Sequence, residues 1–164
     1  MNSRLVFLSF VLARLGIEAS DLLGSFDARL RVQKVIYLLN ALGLGPRYDF
    51  DLYLRGPYSR ALADDYMALA RLGDNEIRAL AGYYKDDGEL SSALDMLSGA
   101  SDAVLEVAAT LHMLMTAYRE RYPGTTLSDV LDHLLFLKPW ASEYIGKALN
   151  LLKNLGLIDA NYSL

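Results

Sequence analysis

No cysteine occurs among the 164 residues, which closes disulfide, thiolate-zinc, iron–sulfur and cysteine-nucleophile chemistry together. Proline and glycine supply only 4 and 12 positions, too few for a collagen-like or disordered chain. Histidine occurs twice, as His112 and His133. The two fall on separate predicted helices, and neither has a ligand at helical spacing on an inward face, whereas a metal needs three or four converging ligands. Asp129 precedes His133 by one helical turn, the spacing of an ordinary solvated contact.

Long apolar runs are also missing. Nine largely apolar residues run from Leu5 to Ala13, short of the roughly 20 needed to span a bilayer, and Arg14 interrupts them with no small-x-small cleavage site beyond. The stretch reads as a core helix, so a cytoplasmic protein without membrane contact is expected. There is no G-x-G-x-x-G, P-loop or G-x-S-x-G arrangement. Asp86-Asp87-Gly88-Glu89 lacks the ligand spacing of an EF-hand and reads as a solvated loop. No cofactor, metal or catalytic residue is expected, and the chain reads as non-enzymatic.

What is present is a 53% hydrophobic, 22% charged chain of the size of one domain able to bury a sizeable core. A single domain over residues 1–164 is expected. The net charge of −4 is uneven: residues 1–60 hold eight Lys/Arg against five acids, and the remainder eight against fifteen. Such asymmetry steers an acidic partner toward the first third of the chain and a basic one toward the rest. A pI near 5.1 argues against general binding to a phosphate backbone, which rests on clustered Lys and Arg.

Periodicity and punctuation predict helices over Ser3–Leu15 with Gly16 as its stop, Ala28–Leu42 with Asp27 as N-cap, and Arg60–Leu72 between Ser59 and Gly73. Residues Ser20 to Gly24 read as a linker. Two short helices are expected between Asn75 and Ser98, a long one from Ser101 or Asp102 to Tyr122, another from Thr125 or Thr126 to Leu137, and a last one from Ser142 to Leu155. On the second helix Val32, Val35, Ile36, Leu39 and Leu42 share a face, leaving Arg29, Gln33, Tyr37 and Asn40 as a polar flank.

Residues 48–55 alternate without a slip, so Tyr48, Phe50, Leu52 and Leu54 are expected on one side of a half-buried strand and Asp49, Asp51, Tyr53 and Arg55 on the other. A strand needs a partner, and residues 75–84 or 158–162 are the candidates. Gly56-Pro57-Tyr58-Ser59 then forms a corner that launches the next helix. The expected architecture is mainly α with a small antiparallel hairpin or sheet, packed in a helix-turn-helix or winged-helix manner.

The segments LRVQKVIYLLNALGLG, YDFDLYLRGPYS and KPW…IGKALNLLKNLGLI together resemble the YwgA-like family of uncharacterised prokaryotic proteins, itself similar to the Panacea, or SocA-like, antitoxin domain. The specific part is the Gln33-Lys34-x-x-Tyr37 helix and the Gly-Pro-Tyr-Ser corner. The resemblance implies a mainly helical fold with a small sheet that acts by protein contact, as an adaptor or antitoxin-like regulator.

Candidate interaction residues are Gln33, Lys34, Tyr37, Tyr53, Arg55, Gly56, Pro57, Tyr58, Ser59 and Arg60, contacting another protein or a second copy of the chain. Of the rings at Tyr48, Tyr53, Tyr58 and Tyr66, half are expected in the core and half at the contact. The corner reads as a turn and cap in preference to an anion site flanked by Arg55 and Arg60. A DNA-binding alternative places Lys147, Asn150, Lys153 and Asn154 of the last helix against phosphates and base edges.

Overall fold

A ring of Phe7 lies directly on the backbone of Gly45, so close that a Cβ at that glycine would meet three of its carbons at 2.3 to 2.7 Å. This contact locks the first helix to the loop that leads into the hairpin. The computed structural model describes residues 2–159. Its elements are α1 (Ser3–Leu15), α2 (Ala19–Gly24), α3 (Phe26–Ala41), β1 (Asp51–Tyr53), β2 (Gly56–Tyr58), α4 (Arg60–Leu72), α5 (Asp74–Ala81), α6 (Glu89–Ser98), α7 (Asp102–Arg121), α8 (Leu127–Leu137), a 3₁₀ segment (Pro139–Tyr144) and α9 (Ile145–Leu155). The protein is mainly helical with one small antiparallel hairpin.

Helix ends follow the cap chemistry of the sequence. Asn2 accepts the Arg4 and Leu5 N–H groups, Gly16 ends α1 in the left-handed conformation, and Ser59, Ser101 and Thr126 cap α4, α7 and α8. The buried apolar side chains form one cluster centred on α3 and α7, with α1, α4, α6, α8 and α9 packed around them. Helix α3 is buried almost all round, from Val32 through Leu39. Its one-sided apolar pattern is completed by Gln33 and Lys34 turning inward as well. Among the described residues no helix is long and apolar enough to cross a membrane.

Four expectations are corrected. Residues 19–24 form a short helix where a linker was expected, because the Glu18 and Asp21 side chains cap it reciprocally. Helix α3 starts earlier, capped by Ser25 in place of Asp27. The last α-helix begins at Ile145; Pro139, which has no N–H to give, opens a 3₁₀ segment before it.

The strand is the largest correction. Pairing spans only residues 51–53, and the partner is the Gly-Pro-Tyr corner itself, in the register Asp51 to Tyr58, Leu52 to Pro57 and Tyr53 to Gly56. Residues 75–81 are helical, and positions 160–162 of the other candidate partner lie outside the described residues. The approach to β1 is held by a side chain in place of a ladder: Asn40 Nδ2 donates to the Leu44 and Pro46 carbonyls, and Asn40 Oδ1 accepts the Tyr48 N–H. The alternation also breaks at the tip. Tyr48 is buried and Phe50 half-buried, but Leu52 and Leu54 are exposed.

Candidate functional site

The hairpin is clamped into the bundle by side chains of α3, α7 and the α8 corner. Leu54 and Arg55 form a two-residue turn closed by Gly56 at φ +96°, the left-handed conformation that glycine adopts without strain. Gly56 and Pro57 are buried, whereas Asp51 to Tyr53 are exposed. The hairpin is thus a ribbon with one strand sunk between α3 and α7 and the other outside.

Helix α3 supplies what a third strand would. Gln33 Nε2 donates to the Ser59 carbonyl at 2.8 Å, while Gln33 Oε1 accepts the Ser59 N–H at 2.8 Å. Lys34 Nζ donates to the Pro57 carbonyl at 2.8 Å. Both side chains are buried; they shape the corner from within and present no surface of their own. Ser59 Oγ in turn accepts the Leu62 N–H. The donors an anion would seek at this helix start are therefore partly taken by the protein itself.

Beneath the turn lies a buried ionic network. Glu106, which α7 carries in the middle of its apolar stripe, accepts Arg55 Nε on Oε1 and Lys138 Nζ on Oε2, each at 2.8 Å. Lys138 Nζ also donates to the Leu54 carbonyl at 2.7 Å. Proline at 139 disfavours helix at residue 138, so the chain departs from α8 at Lys138, with φ −137° and ψ 78°, and the Lys138 side chain lies buried. Three cations, Lys34, Arg55 and Lys138, thus surround one carboxylate. Thr110 Oγ1, buried and without a hydrogen-bond partner, sits against Gly56.

Burial lowers Lys34 from the ordinary 10.5 to about 8, against the opposing pull of Glu106. Burial raises the Tyr37, Tyr48 and Tyr66 phenols, Tyr66 to about 12. The unfolded chain therefore binds more protons than the folded one between pH 8 and 10, where Lys34 titrates, and fewer above pH 10, where unfolded tyrosines ionise. Stability is expected to rise from pH 8 toward 10, by up to roughly 3 kcal/mol over the full Lys34 titration, and to fall beyond it. Urea midpoints at unit pH steps measure this; a midpoint that is flat or falling between pH 8 and 9.5 contradicts it.

Two tyrosine–histidine pairs stand apart from the clamp. Tyr37 Oη lies 2.8 Å from His112 Nδ1, and Tyr118 Oη 2.9 Å from His133 Nδ1. Burial keeps the Tyr37 phenol protonated and, with Arg119, holds His112 below the usual histidine range. The Tyr37 phenol and the His112 ring are therefore both neutral, and the ring's tautomer sets which of the two donates. His112 lines an open cleft of about 410 Å³ with Tyr37, Arg47, Phe50, Met113 and Glu120. Thr116 Oγ1, also on that wall, donates to the His112 carbonyl. Nothing here joins a nucleophile to a base and an orienting group. Among the described residues no three His, Asp or Glu side chains converge on a metal position.

Of the expected contact residues, Tyr53, Arg55 and Arg60 reach the surface. Tyr58 is half-buried and stacks edge-on against Tyr53, with ring centroids 5.5 Å apart. Gln33, Lys34, Tyr37, Gly56, Pro57 and Ser59 are buried. Tyr48 and Tyr66 are core rings. On α9, Lys147, Asn150 and Asn154 are exposed and Lys153 is half-buried; the first three border a groove of about 430 Å³ beside Ser101.

Residues not expected at the site complete it. Leu54 is 89% and Phe136 84% exposed, and Leu52, Leu137 and Trp140 are also in solvent. The two chain segments meet through Lys138, whose Nζ touches the Leu54 carbonyl and lies 5.8 Å from the Trp140 ring centroid. No protein-family model, curated protein or solved structure matches the chain.

Proposed function

We propose that the protein is a non-enzymatic docking module that binds another protein through the hairpin tip and the adjoining α8 corner. The observation that carries this reading is the exposure of Leu52, Tyr53 and Leu54 at the hairpin tip and of Phe136, Leu137 and Trp140 at the end of α8, two segments joined where the buried Lys138 ammonium meets the Leu54 carbonyl. Large side chains left in water on a braced support form the type of patch that partner proteins cover. The hairpin is held by buried hydrogen bonds, so little ordering cost remains when a partner arrives. The resemblance to the YwgA-like and Panacea-like proteins fits an adaptor or antitoxin-like role.

The test places a photo-crosslinking residue at Leu54, at Phe136 and, as a control, at the exposed Leu72 of α4, in cells that make the protein. Crosslinks to a protein are expected from the first two positions only. Excess wild-type chain should compete them away, and excess L54S/F136S chain should compete about tenfold less well. Equal yield at Leu72, or equal competition by both chains, overturns the proposal. A product of twice the chain's mass would identify the partner as a second copy.

A further inference from the structure

We infer that the partner segment seated on this patch is acidic: apolar side chains cover Leu54, Phe136 and Trp140 while a neighbouring carboxylate bonds the guanidinium of Arg55. The inference rests on the docking reading and adds the chemistry of the occupant. Its basis is the charge imbalance under the tip. Glu106 is the one carboxylate bonded within the network, and it faces Lys34, Lys138 and Arg55. Lys34 spends a hydrogen bond on the Pro57 carbonyl, which is neutral. Lys138 divides its bonds between Glu106 and the Leu54 carbonyl.

Arg55 is the member of the network that reaches solvent. Its side chain is 48% exposed, and the bond to Glu106 uses Nε. The two terminal nitrogens of the fork, which suit a carboxylate in two-point contact, are not used in that bond. The next acids acting on Arg55 are Asp27 and then Asp102; they act at a distance, since the bond Arg55 makes is to Glu106, and Asp102 is paired with Arg31 at 2.8 Å. A chain whose net charge is −4 therefore carries local positive charge beside its apolar tip. Apolar cover from a partner would strengthen a bond made there by excluding water. A basic segment would meet three cations, two of them buried, and be repelled.

The test uses the full chain and a library of random dodecapeptides displayed on phage, cleared first on the L54S/F136S chain. Peptides retained by the wild type are expected to be enriched in Asp and Glu over Lys and Arg beside Leu, Ile or Phe. Trp140, the one tryptophan in the chain, reports binding by fluorescence. Affinity for an enriched peptide should fall about tenfold when its acids become amides, and by a similar factor in R55Q. It should weaken several-fold from about 0.05 to about 0.5 M NaCl. Neutral or basic enrichment, or unchanged affinity for the amidated peptide, overturns the inference. If Leu54 crosslinks persist while the library yields no acidic binder, this inference fails and the docking reading stands; if the crosslinks are absent, the docking reading itself fails.

Discussion

Glu106→Gln is expected to destabilise the fold by about 3–5 kcal/mol, the range found when one partner of a buried ion pair is removed. A domain of this kind holds roughly 5–15 kcal/mol in all, so the variant stands near the limit of folding. Glutamine fits the space, but it cannot accept on both oxygens. Its amide NH₂ must point toward either Lys138 Nζ or Arg55 Nε, donor against donor, where Glu106 now makes 2.8 Å bonds to both. With the NH₂ toward Lys138, that buried ammonium is left with the Leu54 carbonyl alone; with it toward Arg55, the guanidinium Nε loses its acceptor. The substitution also removes the group that raises the Lys34 pKa, so the rise in stability above pH 8 should begin at lower pH. Urea unfolding across pH measures both effects. A loss below about 1 kcal/mol would show that the network is not a closed buried unit.

Gly56→Ala is expected to cost about 3 kcal/mol, from two causes that separate experimentally. The residue has φ +96°, where a side chain is strained by roughly 1–3 kcal/mol. Its Cβ would also lie 2.8 Å from Thr110 Oγ1 and 3.0 Å from Lys34 Cε, and overpacking of this kind costs typically 1–3 kcal/mol. Thr110→Ala removes the nearer clash and leaves the backbone strain. In a double-mutant cycle the pair should therefore recover about 1 kcal/mol relative to additivity. Full additivity would mean that the Thr110 contact adds nothing and that backbone strain and the Lys34 contact account for the loss. Hydrogen exchange offers a second reading, because the displaced turn should lose protection at Tyr58 before the helices do.

Much of the helical scaffold was legible from local chemistry. The ends of α1 and α4 fall at the expected residues because Gly16 and Ser59 act through their own short-range geometry. What depends on tertiary neighbours was not legible. Gln33 and Lys34 stand off the apolar stripe of α3, which locally suggests a solvated flank, yet a strand edge lies against that flank and draws both inward. The alternation from Tyr48 to Leu54 places Leu54 with the buried set, because a period of two cannot report where the chain turns. Glu106 carried a readable signal, one acid within the buried run Val104 to Leu111, but its partners Arg55 and Lys138 lie 51 and 32 residues away. The exposed Phe136 and Trp140 belong to the same class, since their segment is joined to the hairpin through the buried Lys138.

The reciprocal bonding of Gln33 with Ser59, together with Lys34 on the Pro57 carbonyl, seals the outer margin of β2. Pro57, aligned with Leu52, has no N–H to offer and turns its carbonyl to Lys34, so the polar backbone groups of Leu52 point to the opposite margin. This two-stranded ribbon can recruit a further strand on one side only. Self-pairing through that margin would bring two molecules together about a twofold axis and leave no site for a third, so growth into filaments is blocked by the architecture of the ribbon.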